Sequence, residues 1–336
     1  MPPTIELPAG LYLKSHTFAF RPFACHMMIP ALRPGDRIAI VATARRITLP
    51  EIELAVRTFE SWGLEVVLGE TIGASYNYFS GDDALRLQDL QRALDDEHIK
   101  AIVCARGGYG TTRIIDQVDF TQFREHPKWL VGFSDVTTLH SHIHTLGIES
   151  VHAIMPLLFP QAGATDSIET LRKVLFGEEV IYTVAPHSFN RTGTAQGQLI
   201  GGNLSILGSL TGTRSDSSTA GKILFLEDLD EYLYHIDRML VHLDRSGKLE
   251  NLAGLIVGDM SDMKDTTVPF GKTAYEIILE HTGKYNYPVC YGFPVGHEPL
   301  NLALICGREA ELEVQQEGVK MAYMPSGGVV LRQGSI

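Results

Sequence analysis

Apolar and polar positions fall into a regular rhythm from residue 36. DRIAIVAT (36–43) is a strand-sized apolar run, and PEIELAVRTFESWG (50–63) repeats its apolar residues at helical spacing. LEVVLG is again strand-like and DALRLQDLQRALDD again helical; IKAIVCA, YGTTRIIDQV, WLVG and DVTTLHSHIHTLG continue the alternation, which closes on a strand at ESVHAI. Short apolar runs alternating with amphipathic helices predict a parallel sheet covered on both faces. Such sheets bind ligands beyond the carboxyl ends of their strands. ARGGYG and GFSD both fall at strand ends and are expected to face one crevice.

After residue 160 the rhythm changes. A helical DSIETLRKVLFG leads through VIYTV to the polar, turn-rich APHSFNRTGTAQG, the expected connection to a second domain. Beyond it, strand-like KILFLED, LAGLIVGD, YPVCYGFP, EAELEV, VKMAYM and GGVVLR mix with helical EYLYHIDRMLVHLDRSG and TAYEIILEHTG. The expected organisation is an extension of unassigned role at 1–27, an N-terminal α/β domain at 28–185, a linker at 186–195 and a mixed α+β domain at 196–336.

Composition narrows the partners. The 336 residues, 44% hydrophobic, suffice for two domains with their own cores. Lys plus Arg number 28 against 40 Asp plus Glu, a formal charge of -12, and no basic run is interleaved with aromatics, which argues against nucleic acid or an anionic membrane surface. The four cysteines form no CxxC pair, so neither a disulfide framework nor a zinc site is expected. Without a secretory signal or a membrane-length apolar run, the chain reads as soluble and cytoplasmic.

Candidate chemistry centres on Ser134. Strand, tight turn and helix in succession form the setting that exposes a nucleophilic serine, yet the G-x-S-x-G pattern is half matched: Gly132 precedes Ser134 by two, and Val136 follows where a second Gly would stand. The alternative is a serine capping the helix that begins at Asp135. His140 and His144, at i, i+4 spacing, lack the HExxH frame of a metal site and read as core or partly exposed histidines. His297 follows a Gly at a strand end, where its ring reaches a cleft or merely a turn. Glu227 closes an apolar strand and either orients an imidazole or belongs with Asp228, Asp230 and Glu231 to the acidic start of the next helix. Gly107 and Gly108, after Arg106, let backbone N–H groups converge on a ligand oxygen, but no phosphate-loop spacing or lysine accompanies them.

Taken together, ARGGYG, GFSD, GGNL, LFLED, IDRML and PVGHEPLN resemble the LD-carboxypeptidase family of serine peptidases over roughly residues 30 to 330. That family includes murein tetrapeptide carboxypeptidases and microcin C immunity peptidases. The resemblance implies a flavodoxin-like doubly wound parallel sheet in the N-terminal domain, a second mixed α+β domain, and a homodimer. It implies Ser134 as nucleophile, His297 as base and Glu227 as its orienting carboxylate, with the N–H groups of Gly108 and Asp135 as oxyanion hole. Arg106, Gly107 and Asn203 are the expected substrate-binding residues, with Arg106 on a terminal carboxylate; no metal and no cofactor is required. One departure is VATARRI after the first strand, where a Ser- and Pro-rich turn is the family pattern.

The implied reaction is release of terminal D-Ala from a murein tetrapeptide during cell-wall recycling, on a small muropeptide or peptide-like substrate. The alternative within the family is hydrolysis of a microcin C-type aminoacyl-nucleotide. Against it, the interval from Ser134 to Glu227 is short for the added aromatic loop, and Trp62 and Trp129 both precede the serine, leaving Tyr232 or Tyr234 for stacking. An alternative of another class is a non-catalytic ligand-binding protein on the same fold.

Overall fold

The computed structural model describes residues 29–324; the extension at 1–27 and the run GGVVLR lie outside them. The predicted alternation is realised as parallel strands β1 (Arg37–Val41), β2 (Glu65–Leu68), β3 (Ile99–Cys104), β4 (Trp129–Gly132) and β5 (Ser150–His152). Between them run α1 (Leu49–Ser61), α2 (Asp83–Asp95), α3 (Thr111–Ile114), α4 (Thr121–Glu125) and α5 (Thr137–Thr145). The spatial order β2-β1-β3-β4-β5 is flavodoxin-like, and it puts the crevice beyond the carboxyl ends of β1, β3 and β4.

Local chemistry explains these elements. α1 opens on a capping box, Thr48 N–H donating to Glu51 at 2.7 Å, and buries Ile52, Ala55 and Phe59 along one face. The helix expected over YGTTRIIDQV shortens to the single turn of α3 followed by a 3-10 turn, Ile115–Gln117. Its β-branched Thr-Thr and Ile-Ile pairs resist a longer helix, while burial of Ile114 and Ile115 holds the turn in place.

α6 (Thr165–Leu175) leads into β6 (Ile181–Val184), and the second sheet grows through β7 (Gly193–Asn203), α7 (Leu204–Leu210), β8 (Ile223–Leu229), α8 (Leu233–Arg245), β9 (Gly254–Ser261), α9 (Ala274–Thr282) and β10 (Val289–Tyr291). The chain then returns to the first sheet as β11 (Leu304–Cys306), antiparallel to β5, and ends in the second with β12 (Glu309–Val314) and β13 (Val319–Tyr323). The second sheet has the order β10-β9-β8-β7-β12-β13-β6, parallel from β10 to β7 and antiparallel thereafter. Both sheets therefore draw strands from both sides of the expected linker.

The main departure from the sequence pattern is β7. Part of GTAQGQLIGGN was expected to be linker, yet it is a strand in the middle of the sheet. Its glycines hide it from propensity, and close packing explains two of them. A Cβ on Gly201 would stand 2.0 Å from the Phe225 carbonyl oxygen, and one on Gly202 would stand 2.4 Å from Thr137 Oγ1 of α5. These absent side chains bring the second sheet against the helix that follows Ser134.

One apolar core surrounds the first sheet, a second lies between the second sheet and helices α7 to α9, and a third joins Phe225, Phe293 and Leu312 to Leu304 and Cys306 of β11. Cys104, Cys290 and Cys306 are buried free thiols. Among the described residues no helix is long and apolar enough to cross a membrane.

Candidate active site

β4 ends at Gly132, and the backbone turns at Phe133 into a 3-10 turn, Ser134–Val136, that runs into α5. Ser134 has φ +61°, a left-handed conformation that an ordinary residue adopts only when its surroundings enforce it. Several contacts do so. A Cβ on Gly132 would approach Val136 Cγ2 to 2.9 Å, so the turn closes only on glycine. His140 Nε2 and the Ala153 N–H both donate to the Gly132 carbonyl, at 2.8 and 3.1 Å, while Ser150 Oγ lies 2.8 Å from His140 Nδ1. Burial pulls the His140 pKa down to about 4, which keeps the ring neutral in this role. The capping alternative for Ser134 does not hold: the N-cap of α5 is Val136, which carries no side-chain cap.

Asp135 is fully buried and ties this turn to the next segment, its Oδ2 accepting from Thr111 N–H at 2.9 Å. Burial raises the Asp135 pKa, and the Thr111 and Gly110 contacts and the Arg86 charge oppose the shift. That next segment is Arg106 to Gly110, beyond β3. A Cβ on Gly107 would lie 3.1 Å from Ser134 Oγ, so the bare backbone rests against the hydroxyl. Gly108, at φ +112°, faces the Tyr78 hydroxyl and the stem of Arg45 instead. Arg86 is wholly buried in α2 and donates to the carbonyls of Thr43 and Gly110, binding the loops after β1 and β3 together.

The second sheet supplies an acid and a base. Glu227 sits where the pairing of β8 with β9 slips between Leu226 and Asp228, a bulge that re-aims the side chain. It is fully buried, and its Oε2 accepts from His297 Nδ1 at 2.7 Å. This fixes the proton on Nδ1 and leaves Nε2 as the basic nitrogen. His297 follows Gly296, where a Cβ would meet Asp259 Cβ at 3.0 Å and Glu227 Cβ at 3.2 Å; only glycine lets the imidazole loop settle over the carboxylate. Burial alone would lower the His297 pKa, but the Glu227 carboxylate, with Asp228 and Asp259 behind it, outweighs burial and the net direction is up. The His297 ring packs on Phe133, centroids 4.8 Å apart, so the residue before Ser134 is one of the contacts between the two halves.

Ser134, His297, Arg106, Gly107, Gly108, Asp135 and Asn203 all line one cavity of about 470 Å³. Glu227 stands behind His297. Hydroxyl, imidazole and carboxylate in this order are the groups of acyl transfer. A model of the LD-carboxypeptidase N-terminal domain matches residues 38–153 and one of the LD-carboxypeptidase C-terminal domain matches residues 196–312. The chain belongs to the LD-carboxypeptidase family. A "Probable murein peptide carboxypeptidase" of Bacillus subtilis (strain 168) is 35% identical, with 88% of this chain and 94% of the relative covered. The crystal structure of muramoyltetrapeptide carboxypeptidase from Oxalobacter formigenes superposes with a TM-score of 0.78 at 25% identity, covering 86% of this chain and 99% of that one. MccF in complex with glutamyl sulfamoyl guanosine has the same fold, with a TM-score of 0.78 at 20% identity over 88% of this chain and 98% of its own.

Within this family member, Asn203 is a joint as well as a lining residue. Its Oδ1 caps α7 at Ile206 N–H, its Nδ2 donates to Asp228 at 2.8 Å, and its own N–H donates to Thr137 Oγ1 at 3.0 Å. Arg106 donates to the Arg46 carbonyl at 3.3 Å. The acids Asp228, Asp230 and Glu231, read from sequence as the first turn of a helix, require correction. α8 begins only at Leu233 and has no acid in its first turn, and all three line the cavity. Arg45, Tyr78 and Met155 also line it and were not anticipated. The sole sequence signal for Arg45 was the departure at VATARRI. Among the described residues no group of three or more potential metal ligands occurs.

Proposed function

We propose that Ser134, His297 and Glu227 form the catalytic triad of a serine carboxypeptidase that releases terminal D-Ala from murein tetrapeptide in cell-wall recycling. The observation that carries this is the buried 2.7 Å Glu227–His297 pair, delivered from the second sheet to the cavity that Ser134 enters from the first. His297 Nε2 takes the Ser134 proton as Oγ bonds to the scissile carbonyl carbon, and Glu227 stabilises the imidazolium. The N–H groups of Gly108 and Asp135 receive the oxyanion, each worth about 3 kcal/mol by analogy with single-donor deletions. The C–N bond then breaks as His297 returns the proton to the leaving amine, and water repeats the sequence on the acyl-enzyme. Arg106 binds the terminal carboxylate. Gly107, lacking a side chain, leaves room for the carbonyl beside the hydroxyl.

The murein substrate is carried by the names of the Bacillus and Oxalobacter relatives, and the free buried thiols favour a reducing cytoplasm. A homodimer completes the reading and is checked by light scattering. The decisive measurement is D-Ala release from L-Ala-γ-D-Glu-meso-diaminopimelate-D-Ala by wild type and Ser134→Ala, with fluorophosphonate labelling of both. Release and labelling by wild type alone are expected. Release by Ser134→Ala overturns the nucleophile. Labelling at Ser134 without release overturns the substrate and points to aminoacyl-nucleotides, for which the exposed Tyr232 and Tyr234, 5.7 Å apart beside Glu231, offer a stacking face.

A further inference from the structure

The charges lining the cavity are unevenly satisfied. On the second-sheet side, Asp228 accepts from Asn203 and Ser205, Asp230 pairs with Lys264 at 2.6 Å, and Glu231 accepts from His235 at 2.7 Å and Ser205 at 3.0 Å. On the first-sheet side, no carboxylate among the described residues lies within ion-pair distance of Arg45 or Arg106. The two arginines of the cavity wall therefore have no carboxylate in contact with them. Arg45 and Arg106 line the same cavity, and burial and the like charge of Arg45 pull the Arg106 pKa down against the opposing Glu51 carboxylate, which lies beyond ion-pair distance; an anion between the two guanidinium groups would relieve that repulsion.

Arg45 is held in place for such a role. The Arg46 N–H donates to the Tyr78 carbonyl at 3.0 Å and the Ser80 N–H to the Ala44 carbonyl at 3.1 Å, which clamps the loop carrying Arg45 against residues 78–80. The guanidinium lies over the Tyr78 ring, 5.4 Å from its centroid, and the Arg45 Cβ stands 3.0 Å from where a Gly108 side chain would begin. Arg106 precedes the glycine pair and Arg45 abuts its second member. The two cations thus bracket the segment against which Ser134 rests.

We propose that Arg45 is a specificity-determining residue that binds a second substrate carboxylate, borne by the side chain of the acyl residue, while Arg106 holds the terminal carboxylate of the leaving residue. This rests on the carboxypeptidase reading above. The favoured substrates are peptides whose penultimate residue ends in a free carboxylate. A guanidinium meets such a group with two parallel hydrogen bonds, which an ammonium cannot do.

The test compares kcat/KM on two tetrapeptides that differ at one group, meso-diaminopimelate with its side-chain carboxylate free or converted to the carboxamide, for wild type, Arg45→Met and Arg45→Lys. Wild type is expected to prefer the free carboxylate by about 10-fold or more, the scale of one charge-assisted contact. In Arg45→Met the preference should fall to within about 2-fold, with Arg45→Lys between. Because the readout is a ratio, a general loss of activity does not imitate the result; if Arg45→Met does not fold, Arg45→Gln replaces it. Hydrolysis of both peptides by wild type without preference, or an unchanged ratio in the variants, overturns the role of Arg45 and leaves the peptidase reading standing. Hydrolysis of neither, with Ser134 labelled by fluorophosphonate, overturns both.

Discussion

Replacing Glu227 by Gln keeps the volume behind His297 and removes one charge. The carboxylate oxygen lies 2.7 Å from Nδ1, which puts the centres of charge about 4 Å apart in the imidazolium form, an interaction of roughly 4 kcal/mol at an effective dielectric of 20. That is an upper bound of about 3 pKa units for the imidazole, at 1.36 kcal/mol per unit. Because burial already pulls His297 down and Glu227 is the first group that pulls it up, the variant should titrate below the ordinary imidazole value and the wild type above it. Only neutral His297 accepts the Ser134 proton. Activity is therefore lost as pH falls through the His297 pKa, and the acid limb of kcat/KM should move to lower pH in Glu227→Gln by at least about 1 unit. At the plateau, kcat should fall by about 10² to 10⁴, as when the orienting acid of a triad loses its charge. The assay is a pH profile of D-Ala release, with thermal unfolding as a control because a buried amide N–H₂ has less to bond to than the oxygen it replaces. An acid limb at the same pH in both proteins would refute the reasoning, since Glu227 would then not be what raises His297.

Gly107→Ala puts a Cβ about 3 Å from Ser134 Cβ and Oγ; D-Ala release should fall about 10²-fold while fluorescence-monitored unfolding changes little, and an active variant would show that the hydroxyl has room to retreat. His140, neutral in the folded state with a pKa of about 4, binds its proton more readily once unfolded, so its contribution is fully present above about pH 6.5 and lost as pH falls toward 4. Urea unfolding should lose up to about 3 kcal/mol over that window, and a His140→Gln variant should show a smaller loss; equal pH dependence in both proteins would exclude His140 as the cause.

The sequence made some of this legible and hid the rest for physical reasons. Ser134, Glu227 and His297 could be found because each stands where an apolar run stops, so the polar residue marks a strand end. β7 could not, because its glycines are set by the close approach of Phe225 and Thr137, which are distant in sequence. Arg86 looks like an exposed position of an amphipathic helix, and only the folded loops after β1 and β3 provide the carbonyls that permit its burial. Asp228, Asp230 and Glu231 carry an acidic signature that suits a helix start as well as a cavity wall; the difference lies in the two residues by which α8 starts later.

The return of the chain as β11 sets how this enzyme can move. His297 stands on the stretch between β10, in one sheet, and β11, in the other, and β11 is hydrogen-bonded to β5, the neighbour of the strand that carries Ser134. A hinge that swung the sheets apart would have to strip β11 from β5 or stretch the imidazole's own support. The β11–β5 pairing therefore ties the stretch that carries His297 to the sheet that presents Ser134, and substrate has to enter the cavity without the two sheets parting.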